Sequence, residues 1–500
     1  MRKDLIISGL FTIFLYASMT YSVQILSNSG LKTYKYMNDG WEIFNRKVDN
    51  RNTEWQTFKK LIEENWQWFV IHMILTEMYR TNKLYNISLI HFIVGFAACL
   101  QMFNIRIFIL LIFQSLICYM TSILLNKKRY VWLLASIFLL ILNMIKSVQY
   151  SKIIMNAMNI NESKVISFMV AYAWCILKNI SFCLEMIENN EKNADKFKLI
   201  NCLGYIFYLP TFICGPFFLY ARYMAMLDYL KWKQFYTFGT RIKKLLIQFI
   251  KYTFLFIMIE VGLHFLYIHH ILISIDVKTL SNLALAGIGF LRSMFFNIKY
   301  MIFYGLSIAI GEFEHILMPN VPKCIFRIYK FSDMWKMFDH GLYEFLFKYI
   351  YIQITTFKSL VIKLFASIIT FFFIYIWHGF YKFVFIWCVT NFVCIILEKL
   401  TYKLIESNKF NSKALALLKT NENVQFIKIV IAVNVMIPAF ISNAFFFGGY
   451  TYGIECLERI YAQGFSNYLK ILSSFVLLYP LAEVVKMYQQ SKTEFSIKNN

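Results

Sequence analysis

The chain is predicted to be an all-α polytopic membrane protein with about ten transmembrane helices plus re-entrant segments. Three observations lead there. Hydrophobic residues make up 59% of the 500 positions against 16% charged, too little polar surface for a soluble chain of this size. The apolar residues are gathered into runs, several of which approach the ~20 residues that carry a helix across about 30 Å of hydrocarbon. The excess of positive charge sits in short polar breaks between those runs.

The longest runs are Leu5 to Val23, Ile105 to Leu125, Tyr130 to Met144, Phe254 to Ile275 and Ser359 to Trp377. Less clean candidates lie at 66–79, 87–101, 165–184, 200–222, 284–310, 380–397, 424–448 and 469–488. Several contain Pro, Gly or a charge, as re-entrant or interfacial segments do. Strand content is expected near zero, because these runs are about twice the length of a barrel strand. The first run follows Arg2 and Lys3 and continues past the length of a signal h-region with no small-x-small cleavage pattern, so a retained first helix is expected.

A net charge of +23 in a soluble protein would suggest nucleic acid. Here Lys127, Lys128 and Arg129, and Lys231, Lys233, Arg241, Lys243 and Lys244, occupy short breaks. That is the positive-inside pattern and assigns both breaks to the cytoplasmic side. The ten cysteines lie mostly inside hydrophobic runs without a CxxC pair, and are expected to be small buried hydrophobes. Cys324 is the exception, outside any long run.

A single membrane domain over 1–500 is expected, with no detachable soluble module and no solenoid repeat. The stretch 28–68 carries Trp41, Trp55, Trp66 and Trp68 among mixed charges and reads as a lumenal or interfacial segment. Polar breaks fall at 187–198 and 402–423. The region 311–380 is the richest in chemistry. It holds Pro319, Pro322 and Cys324, then Ser332 through Leu342, and ends in Trp377-His378-Gly379.

Among the eight histidines, His378 closes a strongly apolar run, where burial is costly unless the ring is hydrogen-bonded or functional. A neutral imidazole there could take a proton from an attacking amine or hydroxyl and pass it to a leaving thiolate; a satisfied interfacial histidine is the alternative. Asp339 is the second candidate, either orienting a partner or capping the following helix. His269 and His270 are adjacent on an expected helix and point apart, which disfavours a paired metal site, and no HExxH or cysteine-rich zinc spacing is present.

Trp377-His378-Gly379, the block Phe331 to Tyr343 with Asp339-His340-Gly341-Leu342, and Lys348-Tyr349-Ile350-Tyr351 together resemble the membrane-bound O-acyltransferase (MBOAT) family, and within it the Hedgehog acyltransferase branch. The likeness extends to Asn65-Trp66-Gln67-Trp68 with His72, to Ile180-Ser181-Phe182 as a central Ser-Phe turn, and to the Gly215-Pro216 break. It departs after Tyr351, where Ile352-Gln353-Ile354-Thr355-Thr356 replaces a Pro and paired Gly.

The resemblance implies an MBOAT-type helical core with its catalytic region at 311–380, and an acyltransferase of the endoplasmic reticulum membrane. His378 and Asp339 would be its catalytic residues, palmitoyl-coenzyme A the donor, and a lumenal secreted protein with an N-terminal cysteine, Hedgehog-type, the acceptor. It further implies haem b ligated by Cys324, a thiolate being a strong axial ligand. Alternatives are an O-acyltransferase acting on a serine or lipid hydroxyl, and a non-enzymatic transporter or scaffold.

Overall fold

The computed structural model describes residues 3–32, 34–81, 86–189, 194–213, 215–227, 237–323, 331–355, 359–406 and 421–463. It is helical almost throughout. The order is α1 (Lys3–Asn28), α2 (Thr53–Thr81), α3 (Ile87–Met102), α4 (Ile105–Leu125), α5 (Lys128–Lys146), α6 (Val148–Met158), α7 (Glu162–Asn189), α8 (Leu199–Ile206), α9 (Tyr220–Leu227) and α10 (Phe238–Phe265). There follow α11 (Ile271–Ser274), α12 (Asn282–Phe313), α13 (Phe331–Phe338), α14 (His340–Leu346), α15 (Ile352–Ile354), α16 (Leu360–His378), α17 (Lys382–Glu406) and α18 (Asn421–Tyr461), with a π-turn at Phe347–Tyr351 before α15. The sole sheet among the described residues pairs β1 (Asn38–Asp39) with β2 (Lys47–Val48) antiparallel.

Seven described helices are long and apolar enough to cross a membrane: 105–125, 128–146, 164–189, 238–265, 282–313, 360–378 and 382–400. The run 87–101 becomes α3, apolar but only 16 residues long. Two expected runs are broken. Phe254 to Ile275 is not one span, because α10 starts sixteen residues earlier at Phe238 and ends at Phe265, before the turn at His269 and His270. The run 200–222 divides into α8, a 3-10 turn at Leu209–Thr211 and α9, with Gly215-Pro216 between them: proline supplies no amide for a continuing helix. The run 469–488 lies outside the described residues, as do Lys231 and Lys233.

Burial ranks the helices from centre to rim. In α7, 83% of the most apolar window is buried, and in α12 67%; in α10 and α16 the figure is 22%. The outer helices show large apolar side chains such as Phe113, Ile250, Phe254, Val361 and Phe372. A hydrocarbon surround makes such faces free of cost. α7 and α12 therefore form the axis on which functional groups can be fixed.

The two ends of the bundle differ. At one end ion pairs link the basic breaks: Lys128 with Glu188 (2.5 Å), Arg222 with Glu344 (2.5 Å), and Arg241 with Glu77 (2.5 Å). The Lys127–Arg129 break and the start of α10 thus share one face, as the positive-inside pattern requires. At the other end the segment between α1 and α2 folds over the C-terminus of α10. The backbone N–H of Trp41 donates to His264 Nε2 (2.8 Å), and Asp49 accepts from the N–H of His269 (2.7 Å). His270 also approaches Asp49, at 3.8 Å, so the two histidines converge on one carboxylate rather than pointing apart. The 28–68 segment divides at Thr53: Trp66 and Trp68 belong to α2, and Trp55 is fully buried with its indole N–H on Glu260 (2.6 Å). The eight described cysteines are all free and buried.

Candidate active site

The Trp-His-Gly triplet ends α16. Gly379 has φ +119 and ψ 154, a conformation closed to most L side chains, so the chain turns out of the helix there. The last carbonyls of α16 would otherwise be orphaned in an apolar setting. Asn143 Nδ2 donates to Ile376 O (2.8 Å), and Lys146 Nζ donates to Trp377 O (2.7 Å) and His378 O (3.1 Å). α5 therefore clamps the helix end through its backbone. The Trp377 indole N–H donates to Ala173 O in α7 (3.3 Å). The His378 ring stands nearly perpendicular to Trp377, Trp387 and Phe446, at 4.9, 5.5 and 5.7 Å between centroids. Among the described residues no hydrogen bond ties down its ring.

Asp339 caps α14. One carboxylate oxygen accepts the Leu342 N–H (3.0 Å) and the other accepts the Tyr304 O–H (2.9 Å). The capping reading is met, and the bond from Tyr304 anchors the second carboxylate oxygen as well. Burial pushes its pKa above the usual carboxylate range, opposed by the Leu342 amide, the Tyr304 hydroxyl and nearby His340. Gly341 follows because α14 runs against the chain at Phe217: a Cβ there would lie 1.8 Å from the Phe217 carbonyl oxygen. Gly341→Ala is accordingly expected to lower stability by about 1–3 kcal/mol through overpacking against backbone and to shift the Asp339 cap. Thermal unfolding in detergent micelles reads this, and a melting point equal to that of the native chain would contradict it.

Asp339 and His378 both border one cavity of about 840 Å³, at the upper end of the range for small-molecule sites. Its walls come from α1, α2, α5, α7, α12, α13, α14, α16, α17 and α18, and are mostly apolar, with Met19, Phe58, Val170, Phe296, Leu346 and Phe440 among them. The polar groups on it are few. They include Tyr304 and Asp339, Tyr300 with its O–H on Glu54 (3.0 Å), and Lys146 and Arg459. Such a space accepts a long methylene chain and presents it to an imidazole and an anchored carboxylate.

Cys324 lies outside the described residues; its neighbour Lys323 is held at both backbone groups, the N–H donating to Met337 O (3.0 Å) and the carbonyl accepting from Asn297 (3.0 Å). Ile180-Ser181-Phe182 is no turn but the middle of α7, where Ser181 accepts the Tyr220 N–H (2.9 Å) and pairs with the Tyr349 hydroxyl (3.0 Å). The backbone there needs no turn because its amides stay in the helical ladder. His72 does not border the cavity. It meets His91 and Glu314 instead. Nothing in the local sequence singles out Tyr304, Asn143 or Lys146. Only the position of Lys146, at the end of an apolar run, hinted at a helix-end partner.

A profile of the membrane-bound O-acyltransferase family matches residues 100–436. Over 473 residues, 91% of this chain and 90% of the relative, the sequence is 28% identical to the protein-cysteine N-palmitoyltransferase Rasp of Drosophila melanogaster. The mouse protein-cysteine N-palmitoyltransferase HHAT is 24% identical over 264 residues, 52% of each chain. The membrane-bound O-acyltransferase gup1 of Schizosaccharomyces pombe is 22% identical over 258 residues, 48% of this chain and 43% of that one.

Proposed function

The chain belongs to the membrane-bound O-acyltransferase family, and from that membership we propose that it transfers palmitate from palmitoyl-coenzyme A to the free N-terminal amine of a cysteine on a secreted, Hedgehog-type protein in the endoplasmic reticulum membrane. The likeness to two protein-cysteine N-palmitoyltransferases, one along nine-tenths of the chain, supports the reaction. The observation that carries the reading is an apolar cavity bordered by both His378 and Asp339. Each buried methylene contributes about 0.8 kcal/mol, so the acyl chain supplies most of the donor's hold on the bundle. The basic end of the molecule suits the coenzyme phosphates.

In this reading the cysteine amine attacks the thioester carbonyl carbon. A C–N bond forms, the C–S bond breaks, and coenzyme A leaves as its thiolate. His378 takes the proton released by the amine and returns it to the thiolate. Its lack of a hydrogen-bond partner among the described residues leaves the ring free to do so. Asp339, fixed by Tyr304 and the Leu342 amide, positions the amine beside the thioester. Haem ligation by Cys324 is not used in any step.

Purified protein in micelles, given labelled palmitoyl-coenzyme A and peptides beginning with Cys, Ser or N-acetyl-Cys, tests the reading. Label is expected on the free-Cys peptide alone, in an alkali- and hydroxylamine-stable amide. Alkali-labile label on the Ser peptide, an oxygen ester, would instead support O-acyl transfer, the activity in the name of the gup1 relative.

A further inference from the structure

We propose that His72, His91 and Glu314 form a zinc site, distinct from the acyl cavity, that clamps α2 and α3 to the C-terminal end of α12. None of the three borders the cavity, and the inference is independent of the acyl-transfer reading. All three are buried, at 0%, 0% and 1% exposure. One ligand atom from each can be chosen so that all lie within 4.8 Å of one another. His72 Nε2 is 3.0 Å from Glu314 Oε1, and His91 Nε2 is 3.7 Å from Glu314 Oε2. Zinc at about 2.0–2.2 Å from nitrogen and oxygen donors sets tetrahedral neighbours roughly 3.3 Å apart, so the spacing here needs only a small closure.

The hydrogen bonds around the cluster point to a cation. Tyr223 donates its O–H to Ser88 Oγ (3.2 Å) and stands 2.8 Å from His91 Nδ1, so its oxygen accepts the Nδ1 proton. His91 Nε2 is then an unprotonated lone pair, buried with no hydrogen-bond partner, and it faces Glu314 Oε2 at 3.7 Å while Glu314 Oε1 lies 3.0 Å from His72 Nε2. Two acceptors facing each other in a dry interior repel unless a positive charge lies between them. In the other tautomer the Nε2 proton would sit opposite a carboxylate oxygen 3.7 Å away, beyond hydrogen-bond reach.

The surroundings have the form of a metal's supporting shell, in which hydrogen bonds fix the outer ring nitrogen and the carboxylate. Tyr223 holds His91, and the Tyr208 O–H donates to Glu314 Oε2 (2.8 Å). The nearby Arg80 is already engaged by Glu77 (3.0 Å) and by the Glu314 carbonyl (3.1 Å). Two imidazoles and a carboxylate are a zinc donor set, whereas magnesium and calcium take oxygen alone. Three protein donors leave one tetrahedral position to be filled, and complete burial keeps the site away from any substrate. Glu314 opens the loop whose Leu317 carbonyl is bound by Arg222, which also pairs with Glu344 of α14, so the ion would steady the approach to the Asp339 cap.

Elemental analysis of the full chain, purified through a histidine-free tag and dialysed against a weak chelator, tests this. About one zinc per chain is expected. His91→Gln and Glu314→Gln should lose it, while His270→Gln, altering a buried histidine elsewhere, should keep it. Because the first two variants could fail to fold, the native chain is also stripped with a strong zinc chelator. Its melting point should fall and return on adding zinc chloride alone. Zinc at background in the native chain, zinc retained by His91→Gln, or a melting point indifferent to stripping would each overturn the site.

Discussion

Replacing His378 with alanine is expected to cut N-palmitoylation severely while leaving the fold intact. The loss of a general acid and base lowers turnover by about 10²–10⁴-fold, and the apparent affinity for palmitoyl-coenzyme A stays close to native because the acyl chain is held by the apolar walls. The fold survives because the end of α16 is secured through backbone carbonyls by Asn143 and Lys146, and no hydrogen bond to another described residue is lost with the ring. What goes is edge-on packing against Trp377, Trp387 and Phe446, on the rim of an existing cavity where neighbours can relax. Single-turnover formation of the amide with a Cys-initiated peptide, beside a melting curve, separates the two effects. Native turnover in His378→Ala would remove the residue from the chemistry, whereas lost turnover with a collapsed melting point would make it structural.

The sequence carried the helices well and the site only in outline. Runs bounded by polar breaks, such as Ile105 to Leu125 and Ser359 to Trp377, became α4 and α16 almost to the residue, because in lipid the apolar length is the physical constraint itself. Phe254 to Ile275 failed because hydropathy does not register backbone direction: Leu266 is extended and the chain turns at His269, where the amide bonds Asp49 from a segment more than two hundred residues earlier. The residues Asp339 and His378 could be picked out, but their 39-residue separation held no geometry. Tyr304 illustrates why the rest was silent. It is one tyrosine among thirty-three, in a helix with no local signal, and its role arises only when α12 and α14 cross. The cluster of His72, His91 and Glu314 was hidden for the same reason, being assembled from two helices and the cap of a third.

Asp339→Asn separates the charge of that side chain from its shape. The native carboxylate uses one oxygen for the Leu342 N–H and the other for the Tyr304 O–H. Asparagine can keep the first bond through its carbonyl, but its amide then faces a hydroxyl that must reverse from donor to acceptor. The cap, about 0.5–2 kcal/mol, is therefore retained, and stability should change little. Turnover should still fall at least ~100-fold if the amine is positioned by negative charge. Asp339→Ala, by contrast, loses the cap and strands the tyrosine hydroxyl, a further cost of about 1–3 kcal/mol, so it should lose stability as well as activity. A third variant ties activity to the state of the carboxyl. Burial already raises its pKa, and the Tyr304 hydroxyl opposes that rise, so Tyr304→Phe raises it again. With the carboxylate as the working form in the proposed mechanism, the acid limb of the kcat/KM profile should move to higher pH in Tyr304→Phe, with the plateau recovered on the alkaline side. An unmoved acid limb, or an Asp339→Asn enzyme with native turnover, would mean that the residue serves as a helix cap alone.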